Sequence, residues 1–127
     1  MMTADELQHA LGRFCGSETL TLHGLDPRVR MTEGVMFLAQ QAKAYWLIDA
    51  IVSHQTTNRA RSNGFQVWKF RRLPDGYCDL RMTDGNSDDP IITQVITYSD
   101  FPLDHIEIWM IRSGNGGGFT MLLPSEY

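Results

Sequence analysis

Leu7, Ala10, Leu11 and Phe14 recur at the three- and four-residue spacing of one helical face. Ahead of them Thr3 and Glu6 stand at the spacing of a capping box, in which each side chain bonds a backbone N–H of the first turn. The pattern predicts a short amphipathic helix over residues 4 to 14, ended by Gly16. Glu18 to His23 alternates weakly, with Leu20 and Leu22 on one side, as a short strand or extended arm. Gly24 to Arg30, containing Asp26-Pro27, reads as a loop. Thr32 is the N-cap of a predicted main helix from Glu33 to His54. At about 100° per residue, Leu38, Ala42, Tyr45, Asp49 and Val52 fall on its apolar side and Gln40, Lys43 and His54 on the other. The polar, turn-rich TTNRARSNG, residues 56 to 64, closes this half.

From Phe65 the period changes to two. FQVWKFRR, YCDLRMT, IITQVITY, HIEIWMI and FTMLLP are rich in β-branched and aromatic residues, with turn residues between them, and predict five strands. Helices come first and strands follow on short connections. The expected fold is therefore α+β, a single domain over residues 1–127 with N-terminal helices packed on one face of an antiparallel meander of about five strands.

A chain of 127 residues, 43% hydrophobic, is large enough for one continuous core and too short for two. No stretch has the roughly 18 to 20 apolar residues of a membrane span, and MMTADELQH lacks the features of a signal peptide. Cys15 and Cys78 make neither a disulfide framework nor a zinc site, so a reduced cytoplasm is the expected setting. The formal charge of −4 is unevenly spread. Residues 1–74 carry +3 and residues 75–107 carry −7, with eight acids against Arg81 alone. The second half is expected to project an acidic field.

Asp49 poses the sharpest chemical question, since a carboxylate on an apolar helix face needs donors or takes up a proton. It reads either as a functional acid, with Tyr45 and His105 as donor and base in a pocket between helix and sheet, or as an anchor. As an anchor it would accept from a loop N–H, an arginine, or Tyr98 or Trp68. Asp84, Asn86 and Asp88 are spaced like the opening of a calcium loop, but Asp89 replaces the turn glycine and Val95 the bidentate glutamate. An acidic hairpin tip, with no metal, is expected. Ser99, Asp100, Asp104 and His105 include the residue types of a hydrolytic triad without its geometry, because neighbours in a strand point to opposite faces. SGNGGGF, residues 113 to 119, lacks the lysine and hydroxyl residue of a phosphate loop and reads as a hairpin turn. Arg59, Arg61, Lys69, Arg71 and Arg72 surround Phe65, Trp68 and Phe70, a mixture that suits single-stranded nucleic acid but equally a sheet core. Tyr127, following an apolar strand, is expected to dock.

AYWLIDAI, FQVWKF, YSDFPLDHIEIWM and the closing LLPSEY together resemble a family of small uncharacterised proteins of bacteria, phages and conjugative elements. The resemblance runs from about Leu7 to Tyr127. It implies an α+β domain without established activity and, through the company of anti-restriction genes, an accessory or anti-defence role. The expected function is a non-enzymatic, cofactor-free protein that inhibits a host defence component, of anti-CRISPR or anti-restriction type. Asp84, Asp88 and Asp89 would meet a basic surface that otherwise receives nucleic acid. Exposed sheet edges would also permit a homodimer.

Overall fold

The structure, a computed structural model, describes residues 2–15, 20–97, 99–113 and 118–127. Gly16, Tyr98 and most of the glycine-rich turn, residues 114–117, lie outside the described residues. Among the described residues the fold is α+β, with four helices and a seven-stranded, mostly antiparallel sheet.

Helix α1 (Ala4–Leu11) has the capping box expected of Thr3 and Glu6, with bonds of 3.1 and 3.2 Å, and buries Leu7 and Leu11. It stops at Gly12, earlier than the apolar spacing suggests. Thr32 caps α2 (Glu33–Gln41) through Val35 N–H, as expected. The long helix itself is not continuous. It breaks at Lys43, and α3 (Tyr45–Ser53) starts afresh. Lys43 is left-handed at φ 52°, and Ala44 N–H reaches back 2.9 Å to the Ala39 carbonyl, the bond that closes a Schellman turn. Glycine usually occupies that position, and a lysine there costs about 1 kcal/mol of backbone strain. The fully buried Ala44 sits directly after it.

The break resets the helical phase. Leu47, Ile48, Ile51 and Val52 become the buried residues of α3, and Tyr45 and Asp49 are exposed. A 3-10 turn (His54–Thr56) and the short α4 (Asn58–Arg61) follow.

All five predicted strands are present: β3 (Phe65–Arg72), β4 (Cys78–Thr83), β5 (Ile92–Ile96), β6 (His105–Arg112) and β7 (Phe119–Leu122). Two short ones precede them, β1 (Thr21–Leu22) and β2 (Val29–Met31). The stretch read as a loop, Gly24 to Arg30, therefore runs into a strand at Val29. Its three residues pair in parallel with β7, which lies some ninety residues further on. Gly118 permits that approach: a Cβ there would stand 2.7 Å from the Arg28 carbonyl oxygen, which instead accepts from Phe119 N–H.

The strand order is β1-β2-β7-β6-β3-β4-β5. The expected meander holds only through β3, β4 and β5. Strand β6 then returns to pair with β3, not with β5. The crossover is pinned by Phe101 and Leu103, both buried, with Phe101 edge-on to Phe70 at 5.0 Å and to Trp46 at 6.4 Å. Arg72 holds it too, through the Phe101 carbonyl and the Asp104 carboxylate.

Alternation in β3 then separates two faces. Gln66, Trp68 and Phe70 point into the core, where His54 stacks on Trp68 and Trp46 meets Phe70. Phe65, Lys69 and Arg71 point the other way, each at least partly accessible.

Candidate functional site

Asp49 is no buried acid: its side chain is 51% exposed, and its partner is His23, which is only 6% exposed. The separation from His23 Nε2 to Asp49 Oδ1 is 2.8 Å. The other ring nitrogen, Nδ1, accepts the backbone N–H groups of Leu25 and Asp26 at 3.1 and 3.3 Å. That arrangement assigns the ring proton to Nε2, which donates to Asp49. With both nitrogens engaged, the imidazole offers no free lone pair to a substrate. It ties the turn before β2 to α3, so Asp49 anchors a loop. Its partner is neither Trp68, whose indole N–H goes to Gln66, nor one of the other donors the sequence suggested within the described residues.

The same turn carries a second clamp. Asp26 accepts from Arg28 through both carboxylate oxygens, at 3.0 Å each, and from Arg28 N–H. The Arg28 hydrogen bond holds the Asp26 carboxyl below its ordinary range despite partial desolvation.

Replacing His23 by leucine orphans two backbone N–H groups and is expected to cost about 1–3 kcal/mol. Asp49→Asn keeps an acceptor oxygen at an exposed position and should cost less than about 1 kcal/mol. Urea unfolding of the two variants checks the ranking. A larger loss for Asp49→Asn than for His23→Leu would refute the anchor.

Tyr45, Asp49 and His105 do not converge. Tyr45 and Asp49 are on α3, whose neighbours Trp46 and His54 pack on the Trp68–Phe70 face of the sheet. His105 is paired with Arg71 and therefore projects from the opposite face. Of the other triad residue types, Asp104 pairs with Arg72, and Ser99 Oγ accepts Phe101 N–H.

The basic and aromatic cluster is divided as well. Trp68 and Phe70 are core residues, Arg59 and Arg61 sit on α4, and Phe65, Lys69 and Arg71 lie on the open face of the sheet. There Phe65, Trp109 and Tyr127 meet ring to ring, with centroids 5.2 to 6.2 Å apart. Tyr127 is thus docked on one side while remaining 77% exposed.

Across the same face Asp79, itself buried, accepts from Arg71 at 2.8 and 3.0 Å and from Arg81 at 3.1 Å. Burial opposes the charge on Asp79, but the hydrogen bonds and charges of Arg71 and Arg81 outweigh it and hold the carboxyl below its ordinary value. A carboxyl depressed in the folded state contributes stability that is complete above its unfolded pKa of about 4 and lost as pH falls through the lower folded value. Melting temperature should therefore fall steeply below about pH 4. Asp79→Asn should lower stability near neutrality and make that acid limb shallower. An unchanged acid limb in the variant would contradict the assignment.

The turn between β4 and β5 is the acidic DGNSDDP segment. It is folded down on the open face: Gly85, at φ 84°, lies so close to the Phe65 ring that a Cβ would meet it at 3.0 Å. Asp84 Oδ1 accepts Asn86 N–H, and Ser87 Oγ accepts Asp89 N–H. Asp84 is half-buried, Asp88 and Asp89 are exposed, and among the described residues no lysine or arginine pairs with any of the three. A groove of about 350 Å³ runs beside this turn, over Val67, Lys69, Glu107 and Trp109. Among the described residues no cluster of side chains is arranged to hold a metal ion, and no helix is long and apolar enough to cross a membrane.

These elements define an α+β protein with a mostly antiparallel sheet and a braced acidic turn between β4 and β5. The chain belongs to DUF6876, a family of unknown function, whose model matches residues 5–127. No curated protein and no solved structure matches it.

Proposed function

We propose that the protein is a non-enzymatic accessory of a mobile element that binds a host protein, in the manner of an anti-restriction or anti-CRISPR inhibitor. Its acidic segment occupies a basic surface that otherwise takes nucleic acid. The observation that carries this reading is the turn holding Asp84, Asp88 and Asp89. Three carboxylates without a cationic partner among the described residues are presented on a loop seated against Phe65. A loop fixed in advance loses little conformational freedom on binding, and a dense negative field speeds encounter with a basic partner. The resemblance to proteins of phages and conjugative elements supplies the biological setting.

The test is capture of partners from host lysate by the tagged protein, with mass spectrometry, at low and at moderate salt. A specific partner is expected at low salt and should be depleted as salt rises. The triple variant Asp84→Lys, Asp88→Lys, Asp89→Lys should retain its melting temperature and lose at least tenfold of that partner, an effect of about 1.4 kcal/mol. Undiminished capture by the folded variant would sink the proposal.

A further inference from the structure

Strand β5 ends the sheet, and among the described residues nothing pairs with its outer side. Edge strands in soluble proteins are commonly blunted by lysine, proline, a bulge or extreme shortness. Strand β1, at the other edge, is only two residues long. By contrast β5, ITQVI, runs for five residues without a charge, with Thr93 exposed and Val95 65% exposed. An open edge of that kind is a template for another strand.

A second copy of this chain suits it poorly. Antiparallel pairing about Gln94 brings the Asp88–Asp89 end of each β5 to the Asp100 end of the other, acid to acid, and the pairing of five-residue strands alone is too small for a stable dimer. The same charges favour an incoming strand that is cationic. From the open edge and its acidic ends we infer that β5 binds an extended, lysine- or arginine-bearing segment of a partner protein by strand addition. The partner's backbone pairs with Ile92–Ile96, its alternate apolar side chains lie beside Thr93 and Val95, and its basic residues reach Asp88 and Asp89. This inference rests on the acidic-surface reading and gives it a geometry.

The probe is the capped hexapeptide Lys-Val-Lys-Val-Lys-Val, set against the same peptide N-methylated at alternate residues, which keeps every charge and removes strand pairing. Binding is followed by fluorescence anisotropy and the contact by backbone hydrogen exchange. The expected result is at least tenfold weaker binding of the methylated peptide, with slowed exchange at Ile92–Ile96 on adding the unmodified one. Equal binding of both peptides, no binding of either, or protection confined to other strands would overturn the inference. So would a β5-paired dimer of the protein alone. The two proposals fail separately. Loss of the cellular partner in the charge-reversed variant, with both peptides binding alike, keeps the acidic surface and removes strand addition. Peptide protection of β5 beside undiminished partner capture does the reverse.

Discussion

Gln66→Leu is expected to be the most damaging of the substitutions considered for this fold, lowering stability by about 3–5 kcal/mol. Gln66 is fully buried and faces Gln55, also buried, amide to amide, with bonds of 2.9 and 3.0 Å. Its oxygen also takes the Trp68 indole N–H at 2.8 Å, and its nitrogen reaches the carbonyls of Ala60 at 2.9 Å and Asn63 at 3.2 Å. Among the described residues no buried side-chain polar atom is left without a partner. Leucine at position 66 strands the indole N–H and most of the Gln55 amide, while the Ala60 carbonyl keeps its bond from Asn63 N–H, at roughly 1–3 kcal/mol for each stranded group that cannot relax toward water. Against a total stability of about 5–15 kcal/mol, that is a large fraction. The network joins the 3-10 turn and α4 to β3, so the loss should appear as a melting temperature lower by roughly 10–20 °C and as early fraying of residues 54–64. Because the two amides act as a unit, Gln55→Leu combined with Gln66→Leu should cost less than the sum of the single changes. Strict additivity in urea unfolding would show that the amides do not act as a unit.

The second large effect is expected at the C-terminal turn. One Glu126 carboxylate oxygen accepts the Thr32 hydroxyl at 2.6 Å and Leu123 N–H at 3.0 Å, and the other accepts Gly34 N–H at 3.1 Å. The anion sits at the start of α2, where the helix dipole and free N–H groups favour negative charge. Glu126→Ala should cost about 2–3 kcal/mol, and Glu126→Gln, which keeps one acceptor oxygen, about half as much. Gly34→Ala offers a sharper check. Helix propensity alone predicts a gain of up to about 1 kcal/mol from that change. Its Cβ, however, would lie 2.5 Å from Glu126 Oε1 and 2.8 Å from Leu123 Cδ1, so the cap must be displaced. Net destabilisation in thermal melts is therefore expected, and a stabilised Gly34→Ala protein would show that the cap contributes little.

What the sequence determined by itself is the part written in local patterns. Thr3 with Glu6, Thr32, and the two-residue alternation of the five later strands encode their structure within a few neighbours, and each is found at its predicted place. The acidic turn was equally legible, because Asp84 to Pro90 carries its own turn chemistry. Tertiary structure alone decided the rest. Lys43 in a left-handed conformation ends α2 without the glycine that normally signals such a turn, and the resulting change of phase carries Asp49 from the apolar side to the surface. His23 has no local cue to mark it as the partner of Asp49, twenty-six residues away. Strand β2 is too short to show a period and exists through its pairing with β7, and β6 lies beside β3 because a buried crossover through Phe101 holds it there. Local spacing fixes which residues can share a face. Which faces then meet depends on packing and hydrogen bonding between segments far apart in the chain, and no window of sequence contains that.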